Sequence, residues 1–136
     1  MTATISEVKA GLATRLATIP GLRTYAYQPD QMNAPMAYPS IEQVLYHRTM
    51  RSGLTEFVCT VSVFVARPTE RPAEASLDAY ASPTGTASVK AAIEGDRTLG
   101  GKVDDCQVEQ VSGISSISAN ETEYLTMDFT VRVYSS

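Results

Sequence analysis

"YLTMDFTVRVY" (residues 124–134) is the stretch from which the fold can be read. Leu125, Met127, Phe129, Val131 and Val133 alternate strictly with Thr126, Asp128, Thr130 and Arg132. Neighbouring side chains on a strand point to opposite faces, so this alternation predicts a half-buried strand with one wet face. A second stretch, "LTEFVCTVSVFVAR" (54–67), does the same: Phe57, Cys59, Val61, Val63 and Val65 fall on one face, Thr60 and Ser62 on the other. Two such strands imply a sheet whose apolar face needs a cover.

The cover is legible at the start of the chain. In "TISEVKAGLATRLATIPG" (4–21), Ile5, Val8, Leu12, Leu16 and Ile19 recur at steps of three and four, the spacing of one helical face. Thr4 and Glu7 have the spacing of a capping box, and Pro20-Gly21 is a stop signal. "LRTYAYQ" (22–28) predicts a short strand, and the prolines of "PDQMNAPMAYP" (29–39) a loop that re-enters as extended chain. "SIEQVLYHRTM" (40–50) reads as a strand, with "RSG" (51–53) as a turn into the 54–67 strand. The two strands would form a long hairpin turning near residues 50–54.

The middle of the chain carries two short helical patterns. One runs through Ala75, Leu77 and Tyr80; the other, in "TASVKAAIEGD" (86–96), through Val89, Ala92 and Ile93. Gly95 stands where a left-handed helix cap is preferred, and Gly100-Gly101 where a turn into the next strand is needed. "KVDDCQVEQV" (102–111) and "ISSISA" (114–119) read as two further strands. The resulting order is helix, three strands, two short helices, three strands. The expectation is a single α+β domain over residues 1–136. Its largely antiparallel or mixed β-sheet would carry the N-terminal helix and both short helices, and a long β-hairpin would project from it.

Composition narrows the function. The chain has 136 residues, 43% of them apolar, and 15 carboxylates against 11 basic side chains, a net charge of −4. That size is sufficient to bury a core without disulfides or metals. No basic cluster is present that would neutralise a nucleic-acid backbone. Glu7, Lys9 and Arg15 interrupt the first apolar pattern, so a signal peptide or membrane span is not expected there. Cys59 and Cys106 both sit in apolar strand patterns and read as reduced, buried thiols. The sequon Asn120-Glu121-Thr122 is read as chance.

The search for chemistry begins with "EGDRTLGGK" (94–102), which looks like a phosphate cradle. A P-loop needs G-x-x-x-x-G-K-[ST] between a strand and a helix. Gly95 and Gly100 are correctly spaced, but Gly101 follows, Lys102 arrives one position late, and Val103 replaces the hydroxyl. The predicted order, helix then loop then strand, is also reversed. The single histidine, His47, has Arg48 and Arg51 as neighbours and no cysteine in its segment. Asp104 and Asp105 are adjacent, and on a strand adjacent side chains diverge. No serine lies in a G-x-S-x-G elbow or an S-x-x-K motif. No catalytic residue, cofactor site or metal site is assigned. What remains is binding or building. The polar, basic hairpin tip "YHRTMRSG" (46–53) and the Pro- and Ala-rich segment after residue 67 suit a subunit that reaches its neighbours, and equally suit ordinary surface loops.

The block "LDAYASPTGTASVKAAIEGDRTLGGKVDD" (77–105) resembles tail proteins of long-tailed, siphovirus-type phages of actinobacteria. In those, a helix with L-D-A-Y and a second helix ending I-E-G-D lead through T-L-G-G into a strand. "PSIEQVLY" (39–46), "RSGLTEFVCTVSVFVAR" (51–67) and the opening helix are also similar to that group; the likeness is loosest at 106–124. These proteins look like tail terminators, the family that includes the terminator of lambda-like phages. The resemblance implies a homo-oligomeric, hexameric ring at the head-proximal end of the virion tail, assembled in the host cytoplasm. The ring would stop polymerisation of the major tail tube protein and provide a docking surface for head-completion and neck proteins. A neck or head-closure role is the alternative, and a monomeric small-molecule or peptide binder a more distant one. On this reading Tyr46, His47, Arg48, Met50 and Arg51 would contact a neighbouring subunit, with Glu70, Glu74 and Asp78 as acidic partners. Six copies at −4 each carry −24, and acidic side chains would line a bore through which phage DNA passes without sticking; Glu56, Asp104 and Asp105 are the candidates.

Overall fold

The computed structural model describes residues 4–19, 22–26, 36–46, 55–66, 73–119 and 122–135. Helix α1 (Ile5–Leu16) is followed by strands β1 (Arg23–Thr24), β2 (Met36–Leu45) and β3 (Thr55–Ala66). Helices α2 (Ala73–Ala81) and α3 (Val89–Glu94) come next, then strands β4 (Asp105–Ala119) and β5 (Thr122–Ser135). The strands form one mixed sheet in the order β1-β2-β3-β5-β4. β1 runs parallel to β2; every other pairing is antiparallel.

The two alternating stretches become the two inner strands. β3 and β5 pair from Thr55↔Ser135 to Ala66↔Leu125, so Cys59, Val61 and Val63 lie beside Val131, Phe129 and Met127. With Val8, Leu12 and Leu16 of α1 and Val89 and Ile93 of α3, they build the main core. Burying one such aliphatic side chain contributes about 1.5–3 kcal/mol, which is why strict alternation fixes the face that each strand turns inward.

α1 begins as its sequence dictates. The Thr4 hydroxyl accepts from the Glu7 amide at 3.2 Å, and the Glu7 carboxylate accepts from the Thr4 amide at 3.0 Å, closing the capping box. Those bonds hold the Glu7 carboxyl below its usual range. Ile5 departs from the expected stripe: it is 42% exposed, because the buried face starts at Val8.

Three boundaries differ from the sequence reading. β2 starts at Met36, taking in "MAYP", and ends at Leu45. Pro39 inside it has no N–H to donate, and β2 tolerates this because, among the described residues, its outer side pairs with β1 only at Met36 and Ala37. β1 has two residues, shorter than the predicted strand. The two strands expected at 102–111 and 114–119 are one, β4, whose register shifts at Val108/Gln110 and again at Ser112/Ser115. Each irregularity breaks the period-two pattern that a sequence reading relies on. β2 and β3 are antiparallel neighbours, as a hairpin requires. Of its expected tip at 46–53, Tyr46 is described and residues 47–53 lie outside the described residues.

Candidate assembly surface

The "EGDRTLGGK" loop already contains its own anion. The Asp96 carboxylate accepts from the amides of Thr98 (3.1 Å) and Gly100 (3.0 Å) and from the Thr98 hydroxyl (2.7 Å). The Thr98 hydroxyl accepts in turn from the Gly101 amide at 3.1 Å. The donors that a phosphate would need are therefore occupied by an internal carboxylate, which those bonds hold below its usual range. Gly100 and Gly101 have φ of +74° and +85°, so they shape the turn as expected.

Gly95 does not. Its φ is −62°, in the right-handed region, which corrects the left-handed cap predicted there. Its lack of a side chain makes room for Arg15: a Cβ at Gly95 would meet the guanidinium. The Arg15 Nε donates to the Ala92 carbonyl at 2.9 Å, so a side chain from α1 satisfies a carbonyl in the last turn of α3. The loop also clasps α1. Leu99 is buried with φ +51°, and a Cβ on Gly11 would come within 2.9 Å of the Leu99 Cβ. Beside this contact runs an open trough of about 450 Å³ lined by Ser6, Ala10, Thr14, Asp96 and Lys102.

The other face of the sheet has a different character. At one end Phe64 packs against Tyr38 (centroids 6.2 Å apart) and edge-on to Tyr124 (6.0 Å), with Met36 beneath. Among the described residues no helix side chain joins this cluster. Half-buried Ser40, Thr60, Ser62, Asp128 and Thr130 form the middle. At the far end Arg132 bridges Glu56 on β3 and Glu109 on β4, its Nε lying 2.7 Å from the Glu109 carboxylate.

This arrangement places the predicted residues as follows. Tyr46 follows β2 and is 70% exposed, the most exposed large apolar side chain among the described residues. Asp78 is exposed on α2, and Glu74 belongs to the same helix. His47, Arg48, Met50, Arg51 and Glu70 lie outside the described residues. Glu56, expected among the acids lining a bore, is instead buried in the chain: it is 3% exposed and ion-paired with Arg132, with Tyr134 and Leu45 flanking it across the sheet. Asp104 is exposed, with its amide donating to the Tyr134 carbonyl at 2.8 Å. Asp105 is held by Arg97 through two bonds of 2.7 and 3.0 Å.

Sequence reasoning missed the edges of the sheet. β4 has no strand on its outer side among the described residues, and β2 has none from Tyr38 to Leu45. The β4 edge faces α3 across a groove of about 580 Å³ lined by Lys90, Glu94, Arg97, Gln107 and Gln110. A smaller apolar hollow of about 150 Å³ continues it under Ala81, Pro83, Val111 and Phe129. Unpaired strand edges are templates for another chain, and this edge is the longest in the sheet.

Both thiols are buried and unpaired with each other. Burial pushes Cys59 up to about 12 and Cys106 up to about 11, so neither is a thiolate near neutrality. Among the described residues no three His, Cys, Asp or Glu side chains come together as a metal site, and no helix is long and apolar enough to cross a membrane. The sequence matches no protein-family model and no curated protein.

Proposed function

We propose that this chain is a structural tail terminator of a long-tailed phage. It assembles as a ring of identical subunits on the finished tail tube, stops further addition of tube protein, and presents the surface on which the head-side neck docks. It acts by assembly and performs no catalysis. The observation that carries this reading is the resemblance of residues 77–105 to actinobacterial phage tail proteins. That block is continuous in space as well as in sequence: it supplies the end of α2, all of α3, the clasp on α1 and the start of β4. Sheet edges with no further strand among the described residues, β4 on one side and β2 from Tyr38 to Leu45 on the other, also suit head-to-tail pairing, the arrangement that closes into rings. Exposed Tyr46 at the end of β2 is an apolar anchor for such a contact.

The test is deletion of the gene from the phage that carries it, followed by negative-stain microscopy of the lysate. Overlong tails of variable length are expected. Tails of normal length left unjoined to filled heads would move the protein to the neck. Normal, infectious particles would remove both roles. A Tyr46→Ala chain should keep its stability within about 0.5 kcal/mol, as surface changes do, yet fail to complement the deletion.

A further inference from the structure

The outer edge of β4 is not left bare. The amide of Val108, at the first register shift, donates to the Glu94 carboxylate at 3.0 Å. Glu94 comes from α3, and its other oxygen lies 2.6 Å from the Lys90 ammonium. The carboxylate thus bridges helix and strand, held from both sides, with its side chain 20% exposed. A backbone donor pointing away from the sheet is what an added strand would use first. Here a side chain has taken it.

We infer that Glu94 guards the β4 edge, keeping a free chain from pairing through β4 with a second copy of itself. The second copy is the relevant partner because the strip "QVEQVS" (107–112) is self-complementary in the antiparallel sense. Pairing centred between Glu109 and Gln110 sets Gln107 opposite Ser112, Val108 opposite Val111 and Glu109 opposite Gln110. No like charges then meet, so charge alone would not prevent self-pairing. The register shifts at Val108/Gln110 and Ser112/Ser115 hinder it by bending the edge. Glu94 adds competition for the donor itself. The guard rests on the assembly reading for its use: it would keep copies from pairing through β4 outside the ring. The edge chemistry can be tested without the phage.

The experiment is mass photometry and analytical ultracentrifugation of the full chain and three variants, with circular dichroism to establish folding. Wild type should remain monomeric. Glu94→Ala should self-associate at a concentration at least about tenfold lower than wild type, because neither copy then has a charge-assisted bond to displace. Glu94→Gln keeps an acceptor for Val108 and should stay monomeric. Glu94→Ala/Gln110→Glu places a carboxylate opposite Glu109 of the second copy and should return to monomer. A folded Glu94→Ala chain that stays at the wild-type mass overturns the proposal, as does association that persists in Glu94→Ala/Gln110→Glu. Hydrogen exchange on the wild-type chain is independent of any variant: the Val108 amide should be protected in the monomer. If it exchanges as fast as an open edge amide, there is no guard. Loss of the phage role with these results intact would leave the edge guard standing; the reverse would remove only the guard.

Discussion

Two acidic side chains two residues apart solve the same problem in different ways. Asp96 and Glu94 each supply acceptors to backbone amides that the sheet and helices leave unpaired. Asp96 does so inside its own turn, reaching amides two and four residues ahead at the surface. Glu94 reaches 14 residues along the chain to an amide on another element, partly shielded by α3 and the strand. The first bond shapes a loop; the second joins a helix to a sheet edge. Local capping needs only the right residue at the right spacing, whereas the longer contact exists only once α3 and β4 have packed.

The comparison can be broken most severely where the loop is anchored. Leu99→Ala should cost about 2–5 kcal/mol in a denaturant titration, since it empties the buried contact between the clasp and α1. If the loss is below 1 kcal/mol, the clasp is not a structural anchor. Gly11→Ala attacks the same contact from the helix side. Crowding Leu99 should cost about 1–3 kcal/mol, offset by the roughly 1 kcal/mol that alanine gains over glycine in a helix.

Asp96→Ala should be milder and local: exchange should quicken at the Thr98 and Gly100 amides while Val108 stays protected. Glu94→Ala should show the opposite pattern, with about 1 kcal/mol of lost stability before any association. A common exchange pattern for the two variants would mean that the loop and the edge open as one unit.

Acid sharpens the contrast further. Burial opposes the charge on Glu94, but Lys90, the Val108 amide and Arg97 outweigh it and hold the carboxyl below the ordinary 4.5. A carboxyl depressed in the folded chain contributes stability in full above its unfolded value, and that contribution disappears as pH falls through the folded value. Wild-type stability should therefore drop as pH falls below about 4.5, and Glu94→Gln should flatten part of that slope; equal slopes would show that Glu94 is not held as drawn. Lys90→Ala should have the smallest effect, under about 0.5 kcal/mol, because the i,i+4 ion pair is half in water.

The same local-versus-distant distinction explains what could be read in advance. The capping box at Thr4 and Glu7, the inward faces of β3 and β5 and the turn at Gly100-Gly101 all follow from neighbours in sequence. So did the α+β class, with helices packed on a largely antiparallel or mixed sheet. Gly95 misled because its small size serves Arg15, a residue 80 positions earlier, and not its own backbone angle. β4 was split in two because its register shifts erase the alternation that marks a strand. Glu56 carried no local sign of burial; Arg132, which pairs with it, arrives only when β5 lies beside β3.

The sequence alone determined which residues face inward on β3 and β5 and where α1 begins, because periodicity and capping depend on positions at most a few residues apart. Tertiary structure alone decided which strands are edges, which acid is buried beside an arginine, and which carboxylate closes an open amide. Those outcomes depend on distances between elements far apart in the chain, and no pattern of adjacent residues encodes such a distance.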